Sequence, residues 1–575
     1  MLHMIKYVKP YTLHVILIVI LTLSATLLEL YLPTLMADVV DIGIVTNDMS
    51  FILQTGGWMI VCSILAVLLT ILVTFLASRV ALGFGKDVRR KLFVNVENFS
   101  LQEYEQIGPA SLITRTTNDV KQIQDVLNMI LRIVTRAPLM LIGGIILAVS
   151  RDPALSLVFL AALPVLAGTI FFISRKAIPL FGELQKRTDR LNLLLRESLI
   201  GTRVVRAFNR VKYEKQRFNV ANEQFRDTGI KVNKIMAILF PLMLIIMNFT
   251  NIAIVWFGAI RIDNGLMEVG NLMAFLQYAM MILMSLIMLS YAFILIPRAQ
   301  ASAKRVNEIL MINPDMKDPI QEAIETGLQG HLEFKNVTFR YKGAEKPAIE
   351  NISFHAKPGQ TTAIIGSTGA GKTTLVQLIP RFYDIEAGSI MLNGIDIRHM
   401  TQKDVRKKLG YVPQKASLFS GTIEENIRFG KKEATEEDII AALETAQAIE
   451  FVNEKEDGVS TFIDQGGANL SGGQKQRLSI ARALVRNPEI YVFDDSFSAL
   501  DYKTDANLRK ALKQKTKDAT IILVAQRINT VMNVDQIIVL NEGKIAGIGP
   551  HEELLKNNTV YQEIVASQRT GDESA

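Results

Sequence analysis

Nine consecutive residues, Gly366, Ser367, Thr368, Gly369, Ala370, Gly371, Lys372, Thr373 and Thr374, set three glycines, a lysine and four hydroxyls in the spacing of a loop that cradles a polyphosphate. Glycines let backbone amides approach phosphate oxygens, and a helix starting just behind them adds favourable partial charge. Lys372 is placed to reach the β- and γ-phosphates of a nucleoside triphosphate, and the Thr373 hydroxyl to ligate Mg²⁺. Asp494 ends the apolar run Tyr491, Val492, Phe493 and would hold the magnesium shell from the opposite side; Asp495 follows it directly. The flanks agree: Thr361, Thr362, Ala363, Ile364 and Ile365 read as a buried strand, and Thr373 onwards as a helix, the order that a true phosphate loop requires.

A further run, Leu470, Ser471, Gly472, Gly473 and Gln474, lies upstream of Asp494. With the phosphate loop and the Asp494 strand it resembles the nucleotide-binding domain of an ABC transporter, and the resemblance covers nearly the whole chain. It implies ATP and Mg²⁺ as cofactors. Tyr341, an aromatic residue ahead of the loop, matches the position that stacks on adenine, although a strand-end tyrosine has the same pattern. Gln414, in Tyr411, Val412, Pro413, Gln414, matches the glutamine that senses magnesium and the γ-phosphate, giving a magnesium set of Thr373, Gln414 and Asp494. Leu470 to Gln474 match the signature that caps ATP held by the other subunit, and Asp501 matches the loop that runs between the two sites.

Two departures concern catalysis. The family places a glutamate that polarises the attacking water where this chain has Asp495, and a histidine where it has Gln526, within Ala525, Gln526, Arg527. Aspartate retracts the carboxylate by about one ångström, and a misplacement of that size can cost on the order of a hundredfold in rate. Gln526 can donate a hydrogen bond but cannot become cationic or relay a proton. Binding residues are kept while two chemical ones are changed, so ATP binding should survive and turnover fall. Asp464, Gln465, Gly466 and Gly467 also depart from the usual residues before the signature. The alternative is tolerated drift in a homodimer with slow ATPase.

These residues need two kinds of scaffold. At 575 residues, 49% of them hydrophobic, the chain is too long for one compact domain, and its apolar residues concentrate before residue 297. Six apolar runs, near residues 13–32, 58–76, 133–149, 155–173, 235–260 and 272–296, approach the roughly 20 residues that span a bilayer core of about 30 Å. The first could be a signal peptide; its length, Glu29 and the lack of a small-residue cleavage site favour a retained span. Residues 1–12 could form an interfacial helix. Lysines and arginines gather between runs two and three and between runs four and five, while residues 36–50 have none, so both chain ends should be cytosolic. The net charge of +7 is thus a topology signal rather than a nucleic-acid one. Cys62, the only cysteine, reads as a packing residue.

The expected fold is a polytopic α-helical membrane domain, with six transmembrane helices and long cytosolic extensions, fused to an α/β P-loop nucleotide-binding domain. Expected bounds are 1–312 for the membrane domain, 313–330 for a linker and 331–575 for the nucleotide-binding domain, with a frayed tail from Gln568. Family analogy places coupling helices near 111–118 and 201–214. Membrane half first and ATPase fused resembles the exporter branch. The degenerate site resembles one subunit of bacterial heterodimeric multidrug exporters, implying a homologous half-transporter partner that carries the glutamate and histidine, a bacterial plasma membrane, and amphipathic substrates. A lipid or peptide exporter would share every motif, and an ATP-gated pore or regulator is the reading outside transport. Glu29, a carboxylate within a span, could face a substrate cavity and favour cationic amphiphiles, or could make a helix-packing hydrogen bond. The methionines of the last two spans could line an adaptable cavity or simply pack. Asp38 and Asp41 could join an outer gate or be loop acids.

Overall fold

The computed structural model describes residues 2–319 and 327–572. Residues 320–326 of the expected linker and 573–575 of the expected tail lie outside them. The chain forms two compact units: residues 1–97 with 109–312, and residues 98–108 with 313–575.

The described residues include six helices long and apolar enough to cross a membrane: α1 (Lys9–Ile44), α2 (Met49–Glu97), α4 (Pro109–Arg151), α5 (Leu157–Ile200), α6 (Val211–Asp263) and α7 (Val269–Met311). Between α2 and α4 lies a short helix, α3 (Leu101–Ile107), which clusters with the second unit. At 1.5 Å per residue the long helices run about 55–80 Å, well beyond a bilayer core of about 30 Å, so each carries polar turns past its apolar stretch. Inside the first unit α1 lies along α2, α5 along α6, and α7 against α4 and α1. Phe159 stacks on Phe275 at 5.2 Å between ring centres, beside the fully buried Tyr278. The Tyr278 hydroxyl is satisfied by Thr34 Oγ1 at 2.7 Å and by the Leu30 carbonyl at 3.2 Å, as an interhelical polar group in a dry interior must be. Asp41 accepts the Gly270 and Asn271 amides at 2.5 and 3.0 Å, so this acid of the α1 end caps the first turn of α7. Asp38 lies 3.5 Å from Arg151.

The second unit holds two main sheets. Strands β1 (Leu332–Phe339), β2 (Ile349–Ala356), β4 (Ala387–Leu392) and β5 (Ile395–Asp396) form an antiparallel sheet in the order β2-β1-β4-β5. The other sheet adds β3 (Thr361–Gly366), β6 (Leu409–Val412), β9 (Ile490–Asp494), β10 (Thr520–Val524), β11 (Gln536–Asn541) and β12 (Lys544–Gly549), in the order β12-β11-β3-β10-β9-β6. Its β12 edge is antiparallel and the other pairings are parallel. A small pair joins β7 (Gly421–Thr422) to β8 (Phe462–Ile463). Strands β9 and β10 are buried at every residue, as expected of parallel strands covered on both faces. The parallel register aligns Val412 with Phe493 and Asp494 with Val524, so β6, β9 and β10 end level with one another beside β3.

Helix α3 precedes the segment 111–118 that family analogy singled out. It starts in a capping box, with Ser100 Oγ accepting the Glu103 amide and Glu103 Oε2 accepting the Ser100 amide at 2.8 Å. Gly108, at φ 78°, and Pro109 then break the chain. Glu103 Oε1 also accepts the Asp315 amide at 2.8 Å, Glu105 accepts the Tyr383 hydroxyl at 3.1 Å, and Leu101 packs on the core around β1. Residues 111–118 instead lie within α4, in the first unit. The second expected position, 201–214, holds a six-residue helix at Thr202–Ala207.

Candidate functional site

Ligands of open α/β sheets bind beyond the carboxyl ends of the parallel strands, and four such ends converge here. β3 runs into the phosphate loop, β6 leads to Gln414 two residues on, β9 ends at Asp494 with Asp495 next, and β10 leads to Gln526. They border a cavity of about 460 Å³ lined by Tyr341, Thr368, Gly369, Gly371, Lys372, Thr373, Thr374, Gln414, Asp495 and Gln526, with Pro347, Ala348, Val524, Glu542 and Gly543.

Helix α8 (Lys372–Leu378) starts directly behind Gly371, which has φ 95°. A Cβ there would also sit 2.8 Å from the Ala348 carbonyl, so conformation and space both require glycine. Lys372 folds back, its Nζ donating to the Gly366 and Ser367 carbonyls at 2.8 Å each, and burial lowers its pKa against the pull of Asp495 and Asp494. An ammonium held by neutral carbonyls is ready to be taken over by a phosphate. Gly366, Ser367 and Ala370 of the loop do not line the cavity, and the Ala370 side chain is buried in the core. The Tyr341 hydroxyl meets Thr374 Oγ1 at 3.0 Å, and its ring packs edge-on against Phe339 and Tyr383.

Thr373 Oγ1 donates to Asp494 Oδ1 at 3.0 Å, so a hydroxyl and a carboxylate oxygen stand together at the loop. This pair of hard oxygens fits a small divalent cation, which would supply positive charge against a bound phosphate. The Tyr411 hydroxyl, 3.5 Å from Asp494 Oδ2, belongs to the same cluster, and burial raises its pKa. Burial also raises the pKa of Asp494 and that of Asp495 above the ordinary aspartate value.

Asp495 is held on one oxygen by both amides that face it. Gln526 Nε2 donates to Asp495 Oδ2 at 2.6 Å and Gln414 Nε2 donates to the same atom at 3.1 Å. Its backbone has φ 49°, a left-handed conformation that aspartate tolerates better than most residues. The turn is pinned by the Asp495 amide on the Val524 carbonyl and by Ser498 Oγ on the Asp495 carbonyl. Gln414, expected near magnesium, lines the same cavity, its amide nitrogen on Asp495.

Sequence reasoning missed Gln568, which it assigned to a frayed tail. Gln568 lies in the final helix, Thr559–Asp572, and it donates to the Gln526 carbonyl at 2.7 Å while accepting the Ile528 amide at 2.8 Å. The end of the chain thereby fixes the loop that presents Gln526. Tyr411 was also overlooked, although it lies three residues before Gln414 in a run already singled out.

The residues Leu470 to Gln474 do not line this cavity. Ser471 caps helix α9 (Gly472–Leu484): its Oγ accepts the Gln474 amide at 3.3 Å, and Gln474 Oε1 accepts the Ser471 amide at 2.9 Å. Leu470 is buried in the core, and beside Gly472 a Cβ would meet open space, which leaves the amide end of α9 clear for an anion. Asp501 caps α10 (Tyr502–Lys515) by accepting the Thr504 amide at 2.9 Å.

Comparison with known proteins agrees with this architecture. Residues 15–286 match the ABC transporter transmembrane region, and residues 349–498 match the ABC transporter family. An uncharacterised ABC transporter ATP-binding protein of Mycobacterium tuberculosis is 41% identical over 98% of this chain and 97% of its own length. One from Bacillus subtilis is 38% identical over 99% of each. Among solved structures, a bacterial Atm1-family ABC exporter with ATP bound aligns with a TM-score of 0.80 and 26% identity, covering 97% of this chain and 98% of that one. With its membrane helices and its ATPase fused in one polypeptide, the chain belongs to the ABC transporters, as a half-transporter of the exporter type.

Proposed function

We propose that this ATP-driven exporter binds Mg-ATP at its own phosphate loop but hydrolyses it slowly, and that it works beside a different half-transporter. The carrying observation is Asp495, whose one oxygen is shared by two glutamine amides at 2.6 and 3.1 Å. A base that polarises water must bring a free lone pair within about 2.6–3.2 Å of it; with Oδ2 taken, only Oδ1 is left to do so, on a carboxylate set back by one methylene. Here the shorter carboxylate is turned to neutral donors, neither of which can take a proton on.

In this reading Lys372 and the loop amides hold the β- and γ-phosphates, Tyr341 stacks on the base, and Thr373 and Asp494 hold magnesium with Gln414 nearby. Ser471, Gly472 and Gly473, at the open amide end of α9, cap the ATP bound to the partner's loop. The partner supplies the glutamate and histidine for that second, working site. Support for a second subunit also comes from the hairpin tip around Thr202–Ala207, where Leu199, Ile200, Val204 and Phe208 are 60–80% exposed. Such a cluster of large apolar side chains at the end of two long helices is unusual on a free surface. The substrate is an amphipathic compound moved outward across a bacterial plasma membrane, with both chain ends cytosolic.

The test is co-purification through a tag on this chain, followed by single-turnover ATP hydrolysis. ATP retained unhydrolysed on half of the sites while the other half turns over supports the reading. A complex of one polypeptide whose two sites turn over equally contradicts it.

A further inference from the structure

Within the membrane unit, Glu29 of α1 and Arg136 of α4 form an ion pair at 2.5 Å. Arg136 falls inside the apolar run 133–149 and escaped the sequence reading, so the carboxylate that favoured a cationic substrate is already neutralised. The pair lines a cavity of about 350 Å³ together with Met280, Met281, Met284 and Met288. A second cavity of about 320 Å³ shares Arg136 and Met288 with the first and adds Arg132. Among the described residues no other charged side chain lines either cavity. Two guanidiniums therefore face one carboxylate, which leaves an excess positive charge. Arg132 is exposed and has no acidic partner among the described residues.

Two features suggest that this charge is placed for a ligand. Residues Ile130–Val134 form a π-helical turn, closed by the Thr135 amide donating to the Ile130 carbonyl, to which Thr135 Oγ1 also donates at 2.9 Å. Such turns re-aim side chains and cluster at functional sites. Arg136, inside the apolar run 133–149, is also costly to keep there without a purpose. The first cavity adjoins an apolar groove of about 800 Å³ beside Trp256, Val255 and Ile260, the two sharing Gln277 and Met280. A cavity holding the Glu29–Arg136 pair beside an apolar groove fits a molecule with a head and a tail.

We infer that the membrane unit binds an anionic amphiphile, its phosphate or carboxylate head between Arg132 and Arg136 and its tail along the Trp256 groove. The head competes with Glu29 for Arg136, so the ion pair is the closed form of the site and Arg132 the group that receives the anion first. This rests on the amphiphile-export reading above and reverses the charge that Glu29 alone suggested.

The experiment measures binding, without nucleotide, of two fluorescent amphiphiles that share a dodecyl tail and carry a phosphate or a trimethylammonium head. The whole complex is held in nanodiscs of phosphatidylcholine. The phosphate form should bind at least tenfold more tightly. Arg132→Ala should cut that preference to threefold or less; Arg132 is exposed and outside the ion pair, so its removal leaves packing intact. Glu29→Gln should tighten the phosphate form severalfold. Preference for trimethylammonium, weaker trimethylammonium binding in Glu29→Gln, or unchanged selectivity in Arg132→Ala would each overturn the proposal. With selectivity as expected, displacement by added phosphatidylglycerol identifies a membrane lipid as the occupant, and no displacement identifies a free amphiphile. A complex that binds the phosphate form but does not move it on adding ATP contradicts the export of amphiphiles and leaves the binding site standing.

Discussion

At the scale of residues, the chemistry turns on one methylene and one ring. Asp495 and Gln526 hold each other at 2.6 Å, where a glutamate would carry its carboxylate one methylene further and a histidine could take on a proton. Asp495→Glu with Gln526→His should raise ATP turnover at this chain's own site by about tenfold to a hundredfold. Phosphate release in a complex whose partner site has been disabled reads that change. A second expectation comes from burial, which raises the Asp495 carboxyl above its ordinary value. An acid whose folded pKa exceeds its unfolded one costs stability: the cost is absent below the unfolded value and complete above the folded one. Asp495→Asn should therefore raise the melting temperature of the nucleotide-free protein at neutral pH, and the gain should vanish as pH falls through the aspartate range. Differential scanning fluorimetry at pH 7.5 and pH 4 tests this; an equal shift at both would contradict it. The identity of these residues was plain in the sequence. Their mutual hydrogen bonds were not, because they depend on β6, β9 and β10 ending level.

At the scale of elements, strand and loop order was readable because β3 is an apolar run flanked by glycine and β9 ends in paired acids. Spans were readable by length. Helix α3 was not recovered, although Ser100 followed three residues later by Glu103, then Gly108 and Pro109, form a capping box and a break. Family analogy drew attention to 111–118 instead. Arg136 was lost because one charge does not spoil a 17-residue apolar window, and Gln568 because terminal sequence carries no signature of what it packs on. Within the second unit α3 reaches the cavity through two contacts: Glu105 accepts the Tyr383 hydroxyl at 3.1 Å, and the Tyr383 ring meets that of Tyr341 at 5.5 Å. Tyr383→Phe keeps the ring and removes the hydrogen bond. It should leave ATP affinity within about twofold and lower transport per ATP hydrolysed, since a single hydrogen bond to a charged group is worth about 1.5–3 kcal/mol. Equal transport per ATP in the variant would show that α3 is not mechanically engaged through Tyr383.

At the scale of the whole molecule, the chain carries one phosphate loop beside an Asp495 whose Oδ2 accepts two amides, and one Leu470–Gln474 run whose helix start is open. These belong to different ATP sites if two subunits face each other, so their variants should behave oppositely. Ser471→Arg, which places a bulky cation at the amide end of α9, should abolish most turnover of the complex by obstructing the partner's site. The measurement that bears most directly on the division of labour is steady-state ATPase of the complex purified through this chain, comparing wild type with Asp495→Asn. Turnover within about twofold of wild type is the expected result, since a site that contributes little loses little. A fall to a few per cent would contradict it: Asp495 would then be a working base, and both ATP sites of a slow homodimer would depend on it.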